Sequence, residues 1–111
     1  MKQNLFVQVS EKISETTGIA IPDMLSSTTE ECTDARYLLI RALTALSFTD
    51  VDIARHIGRT RQAVGYLRNK YKRSKKWTLA NDWKIIGKWL ERLRLKALIK
   101  GVINGILFMA I

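Results

Sequence analysis

The chain has 111 residues, 19 Lys plus Arg against 10 Asp plus Glu for a net charge of +9, and 47% apolar residues. That length holds one small core and excludes a large enzyme, while the apolar share excludes wholesale disorder. One cysteine, Cys32, and one histidine, His56, exclude an internal disulfide, a cysteine-based metal cluster and the usual histidine-based catalytic constellations.

Taken in chain order, Leu5, Phe6, Val9 and Ile13 recur at helical spacing, which predicts a helix over residues 3–17 ended by Gly18. Ile19 and Ile21 then lead into Pro22, whose fixed φ suits the first position of a short helical turn, PDML, with Met24 and Leu25 inward. The stretch SSTTEECT, residues 26–33, has no apolar period and reads as a loop containing a Cys32 thiol. Asp34 is the expected N-cap of the next helix, in which Ala35, Leu38, Leu39, Ala42, Leu43 and Leu46 form the broadest apolar face of the chain.

Residues 50–67, DVDIARHIGRTRQAVGYL, have the spacing of a helix-turn-helix. Thr49 and Asp52 resemble a capping box that starts a short helix over 50–57. Ile53, Ala54 and Ile57 make its inner stripe, and Ala54 is small enough for a second helix to cross closely. Gly58 can take the positive φ needed to leave that helix abruptly. Thr60 can cap the second helix, which turns Ala63, Val64, Leu67 and Tyr71 inward. Its remaining residues, Arg61, Gln62, Tyr66, Arg68 and Asn69, are of the types that contact base edges and phosphates. Arg61 and Gln62 are the expected base readers, and Arg59 the expected phosphate contact. Tyr66 either stacks on a sugar or covers the helix.

The run NKYKRSKKW, residues 69–77, continues this helix or leaves it as a basic arm. Lys70, Lys72, Arg73, Lys75 and Lys76 would then lie near backbone phosphates. Charge distribution agrees: residues 1–34 hold two Lys against six acids, whereas residues 35–111 hold 17 Lys plus Arg against four acids. A basic excess that begins with the motif suits a polyanionic partner.

After a break expected near Asn81, Trp83, Ile86, Leu90, Leu93 and Ala97 repeat at three- and four-residue spacing, with Lys84, Lys88, Arg92 and Lys96 on another face. The three tryptophans read as packing residues and His56 as a partly covered helix residue. The segment GVINGILFMAI carries no charge, and at roughly 20 residues for a membrane span it is short on its own. The start, MKQNLFVQVSEKIS, is not a secretory signal, because Gln, Glu and Lys break any apolar run; a reducing cytoplasm is expected.

The order of elements resembles a known family. Residues 7–71, through VSEKISETTGIAIPDMLS, DARYLLIRALTALSFTDVDIARHIG and GRTRQAVGYLRNKY, look like the carboxy-terminal DNA-binding domain of the bacterial replication initiator DnaA. The resemblance implies an all-helical domain whose second motif helix enters the major groove, and it puts Arg36 at a phosphate-contacting position. The family's signature Gly-Arg-Asp-His-Thr-Thr-Val is matched at Gly58, Arg59 and Val64, but Thr60, Arg61 and Gln62 stand at its base-reading positions. Its Arg-rich loop is replaced by one with Glu30 and Glu31, and no Walker-type glycine loop is present. The family's origin sequence therefore does not carry over. Stand-alone proteins of this kind resemble regulatory or replication-associated proteins of bacteria, phages or mobile elements.

The expectation is thus an all-α protein of two parts: residues 1–76, a helix-turn-helix domain with a basic arm, and residues 77–111, a carboxy-terminal amphipathic helix. It binds double-stranded DNA sequence-specifically and is not an enzyme; no metal or cofactor is implied. The expected DNA-binding residues are Arg36, Arg59, Thr60, Arg61, Gln62, Tyr66, Arg68, Asn69, Lys70, Lys72 and Arg73. Residues 80–111, through Leu90, Leu93, Ile106, Leu107 and Phe108, are expected to mediate self-association as a homodimer or contact with an apolar partner, and not to be needed for reading DNA. The alternative is a partner-binding or membrane-associated protein that uses this basic-apolar helix.

Overall fold

The computed structural model describes the backbone of residues 2–71 and 76–110 and the side chains of residues 3–70 and 76–96. Among them are the helices α1 (Lys2–Thr17), α2 (Ile21–Ser26), α3 (Glu30–Ala45), α4 (Asp50–Ile57), α5 (Arg61–Tyr71) and α6 (Trp77–Ala110), and no strand. The fold is all-α.

Local chemistry sets most boundaries. Gly18 closes α1 at φ +75°, and Pro22 sits in the first turn of α2. At the end of α3 the Ser47 amide donates to the Thr44 carbonyl and the Phe48 amide to the Leu43 carbonyl, each at 3.0 Å. These bonds form a Schellman cap, with Ser47 rather than glycine in the left-handed region at φ 70°. Buried Phe48 fixes the turn from the core side.

The start of α3 corrects the expected loop. Thr29, not Asp34, is the N-cap; its side-chain oxygen accepts from the Cys32 amide at 3.4 Å. Glu30 and Glu31 then occupy the first turn, where a carboxylate complements the positive end of the helix dipole. Cys32 is accordingly a buried helical residue rather than a loop thiol. Asp34 lies one turn inside the helix.

Helix α3 is the axis of the molecule and touches each of the other five described helices. Ala35, Leu38, Leu39, Ile40, Ala42 and Leu43 on it are buried against Phe6, Val9 and Ile13 of α1, Met24 of α2, Ile53 and Ile57 of α4, and Val64 and Leu67 of α5. The predicted apolar face is present. Ile40 and Tyr37 widen it, and Leu46 is only half-buried at the cap.

Helix α6 departs from expectation in two ways. It begins at Trp77 and runs unbroken through Asn81, so there is no break there. The helix cost of one Asn is only a few tenths of a kcal/mol, whereas Leu79, one turn in, is buried at 7% exposure. Second, Leu79, Ile86 and Leu90 lie in the same core as α1 and α3, with Trp83 and Trp89 packed at its edge. The Arg41 guanidinium stacks 4.1 Å from the Trp83 ring centre. Leu90 is therefore covered by its own chain and unavailable to a second copy. The expected contacts through Ile106, Leu107 and Phe108 lie outside the described side chains, as do the inward placings of Tyr71 and Ala97.

The run of α6 follows from its end contacts. Lys76, just before it, bonds Glu30 and Asp34 at the start of α3, and Arg94 donates to the Ala45 carbonyl at the end of α3. The two helices therefore run in the same direction. Thr17 and Ile19 share an open groove of about 250 Å³ with Thr78, Leu79 and Asp82, which puts the end of α1 beside the start of α6. Burial in that groove raises the Asp82 carboxyl above its ordinary value.

Candidate nucleic-acid interface

The site is built by α4, its turn and α5. Thr49 accepts from the Asp52 amide at 3.1 Å while the Asp52 carboxylate accepts from the Thr49 amide at 3.3 Å, so the capping box is complete. Ile53, Ala54 and Ile57 are buried beneath the helix. Gly58 ends it at φ 69° and ψ 35°, and the Arg59 amide donates back to the Ala54 carbonyl at 3.0 Å. A side chain in that left-handed conformation is strained by about 1–2 kcal/mol. The Thr60 hydroxyl then accepts from the Ala63 amide at 3.1 Å and starts α5. His56 is half-buried; its Nδ1 lies 2.7 Å from the Asp52 carbonyl and its ring packs on Phe6 and Phe48.

Helix α5 is held from behind. Val64 and Leu67 are buried, and Arg68 is a clasp rather than a free reader. Its guanidinium pairs with the Asp50 carboxylate and reaches Thr44 Oγ1 at 3.2 Å, tying α5 to α4 and α3. The hydrogen bond from Arg68 to Asp50, and then the charges of Arg68 and Arg61, hold the Asp50 carboxyl below the ordinary carboxylate range.

Three other expected contacts are engaged inside the fold. Arg36 is buried, and its guanidinium donates to the Met24 carbonyl at 3.0 Å and the Ser27 carbonyl at 2.6 Å. It satisfies the carbonyls that α2 leaves open at its end, a task that keeps it in the interior. Lys76 pairs with Glu30 and Asp34, which push its ammonium well above the usual lysine range. Arg59 is exposed but leans on α2, donating to the Leu25 carbonyl at 3.0 Å.

The exposed residues of α5 form one surface. Arg61, Gln62, Tyr66, Asn69 and Lys70 are exposed on α5, Tyr66 by 68%. Thr60 and Arg59 adjoin its start, and Lys70 lies near its end. Lys72, Arg73 and Lys75 lie outside the described residues.

The motif pattern does not single out Arg55, which is exposed at the end of α4. Gly65 is likewise absent from the expected set, and a Cβ added there would meet nothing within 4 Å. No packing demand explains a glycine in the middle of this helix. Its signal was in the sequence: glycine inside an otherwise regular helix costs about 1 kcal/mol relative to alanine.

Among the described residues no group of His, Cys, Asp or Glu could hold a metal ion. Compared with known proteins, the chain has no significant match to a family model, a curated protein or a solved structure.

Proposed function

We propose that this protein binds double-stranded DNA through its helix-turn-helix, with α5 in the major groove. The observation that carries the reading is the division of α5 into two faces. Val64, Leu67 and Arg68 anchor it to the core, while Gln62, Tyr66 and Asn69 project on the opposite side and Arg61 projects from the edge it shares with Arg68, none of the four with a side-chain hydrogen bond to another described residue. A recognition helix needs that division, because side chains committed to the fold cannot reach base edges. The resemblance of residues 7–71 to the DnaA DNA-binding domain supports the same reading. On that footing the role is regulatory or replication-associated, in a bacterium, phage or mobile element. The reading involves recognition alone, with no catalytic step. The full-length chain is expected to retain random duplexes in a mobility-shift assay and to enrich a defined site on repeated selection. Equal competition by single strands would overturn it in favour of sequence-neutral strand binding.

A second reading is favoured by the outer face of α6. Lys84, Lys88, Arg92 and Lys96 are exposed there, interleaved with Trp77, Ile85 and Leu95, which are 76%, 45% and 57% exposed. Basic groups mixed with exposed apolar ones suit an anionic lipid surface, where each Lys or Arg contributes about 1 kcal/mol. Among the described residues no helix is long and apolar enough to cross a membrane. The protein is expected to co-sediment with phosphatidylserine vesicles but not phosphatidylcholine vesicles, and to lose that binding when the four cations become Gln. Equal recovery with both lipids, or with neither, would remove this reading.

A further inference from the structure

On the exposed face of α5, Gln62, Tyr66 and Asn69 follow one another at steps of four and three residues, so their side chains fall in one row along the helix. This row lies opposite the buried Val64 and Leu67 and is the part of α5 farthest from the core. The cations are to either side of it. Arg61 lies on the edge near Asp50, whose carboxyl its charge helps to hold down. Arg68, on that same edge, is bound to Asp50 and Thr44. Lys70 is on the other edge. The helix therefore presents a central line of two carboxamides and a phenol between basic flanks.

Each part of this arrangement has a different chemical preference. A helix set into the major groove points its outermost row at the base edges and its flanks at the two phosphate walls. A carboxamide both donates and accepts in one plane, which matches the N6 and N7 edge of adenine. Guanine offers two acceptors there and prefers a cation. The Tyr66 ring offers an apolar surface to a thymine methyl between them. Gln62 and Asn69 are seven residues apart, about 10 Å along the helix, which is close to three base steps at about 3.4 Å each.

We infer that α5 selects a site with two A·T pairs about three base pairs apart, one read by Gln62 and the other by Asn69. Arg61 holds a flanking phosphate in this arrangement. Gly65 lies between Arg61 and Tyr66 beside the row, and the open space where its side chain would be lets the groove wall come close to the helix backbone. The inference rests on the DNA-binding reading above and adds the base class to it.

The test is selection of bound duplexes from a random pool by the full-length protein, by Gln62→Ala and by Asn69→Ala. Both substituted positions are exposed, so thermal melts should match the parent. The parent should enrich A·T at two positions about three apart. Each variant should relax one of them, with discrimination falling roughly 5- to 150-fold there and staying unchanged at the other. Arg61→Ala should weaken all duplexes alike and leave the enriched motif intact. A motif with G·C at both positions, or variants that keep the parental motif, would overturn the inference while leaving DNA binding standing. Failure of the parent protein to retain any duplex would overturn the DNA-binding reading itself, and this inference with it.

Discussion

Removal of residues 77–111 is expected to unfold the protein, not to release a smaller DNA-binding domain. The sequence pattern suggests a domain complete near Tyr71 with an appended helix, but Leu79, Ile86 and Leu90 are 7%, 0% and 4% exposed in the common core. Without α6, the sides of α1 and α3 that face those residues would lie open to water, and Lys76 would lose the helix that keeps it beside Glu30 and Asp34. Fully burying one Leu or Ile side chain contributes about 1.5–3 kcal/mol. Three such residues approach the whole stability of a small domain, about 5–15 kcal/mol. The truncated chain should therefore lack a cooperative urea transition by circular dichroism. In the intact chain, Ile86→Ala should cost about 2–5 kcal/mol with the fold retained. A truncated protein that melts cooperatively near the parental midpoint would show that α6 is dispensable.

The second large effect is electrostatic. Replacing Arg61, Lys72, Arg73 and Lys75 together by Gln should weaken binding to every duplex and flatten its dependence on salt. Each phosphate contact contributes roughly 0.9 to the slope of log affinity against log salt. Loss of all four would therefore lower the slope by up to about 3.6, and affinity at moderate salt by orders of magnitude. Lys76 and Arg68 belong to the same basic stretch but should behave differently. Lys76 is held by Glu30 and Asp34, and Arg68 by Asp50; their pairs are part of the fold. Lys76→Gln should leave the salt slope unchanged. The measurement is a titration of the parent, the four-fold variant and Lys76→Gln at several salt concentrations. An unchanged slope in the four-fold variant would place the polyanion contact elsewhere on the molecule.

The different fates of these cations show where sequence reading stops. The capping box at Thr49 and Asp52, the left-handed Gly58, the Thr60 cap and the span of α4 were legible because each depends on groups within about four residues of one another. The apolar face of α3 was legible for the same reason, since helical periodicity is a local property. Neither the start of α3 nor the unbroken course of α6 through Asn81 could be read in this way. Ser, Thr, Asp and Asn serve equally as caps or as tolerated helical residues, and burial of Cys32 and Leu79 decides between those uses.

What the sequence determined by itself is an all-α chain with a helix-turn-helix at residues 50–67 and the residue types available on its second helix. The tertiary structure alone decided which of those side chains remain free to meet a partner. Arg36 bonds carbonyls 9 and 12 residues away, Arg68 a carboxylate 18 away, and Lys76 carboxylates 42 and 46 away. A cation's employment depends on which acceptor the fold brings within about 3 Å, and helix packing sets that proximity. Sequence spacing carries no record of it, so Arg36, Arg68 and Lys76 look like DNA contacts until α2, α4 and the start of α3 are placed beside them.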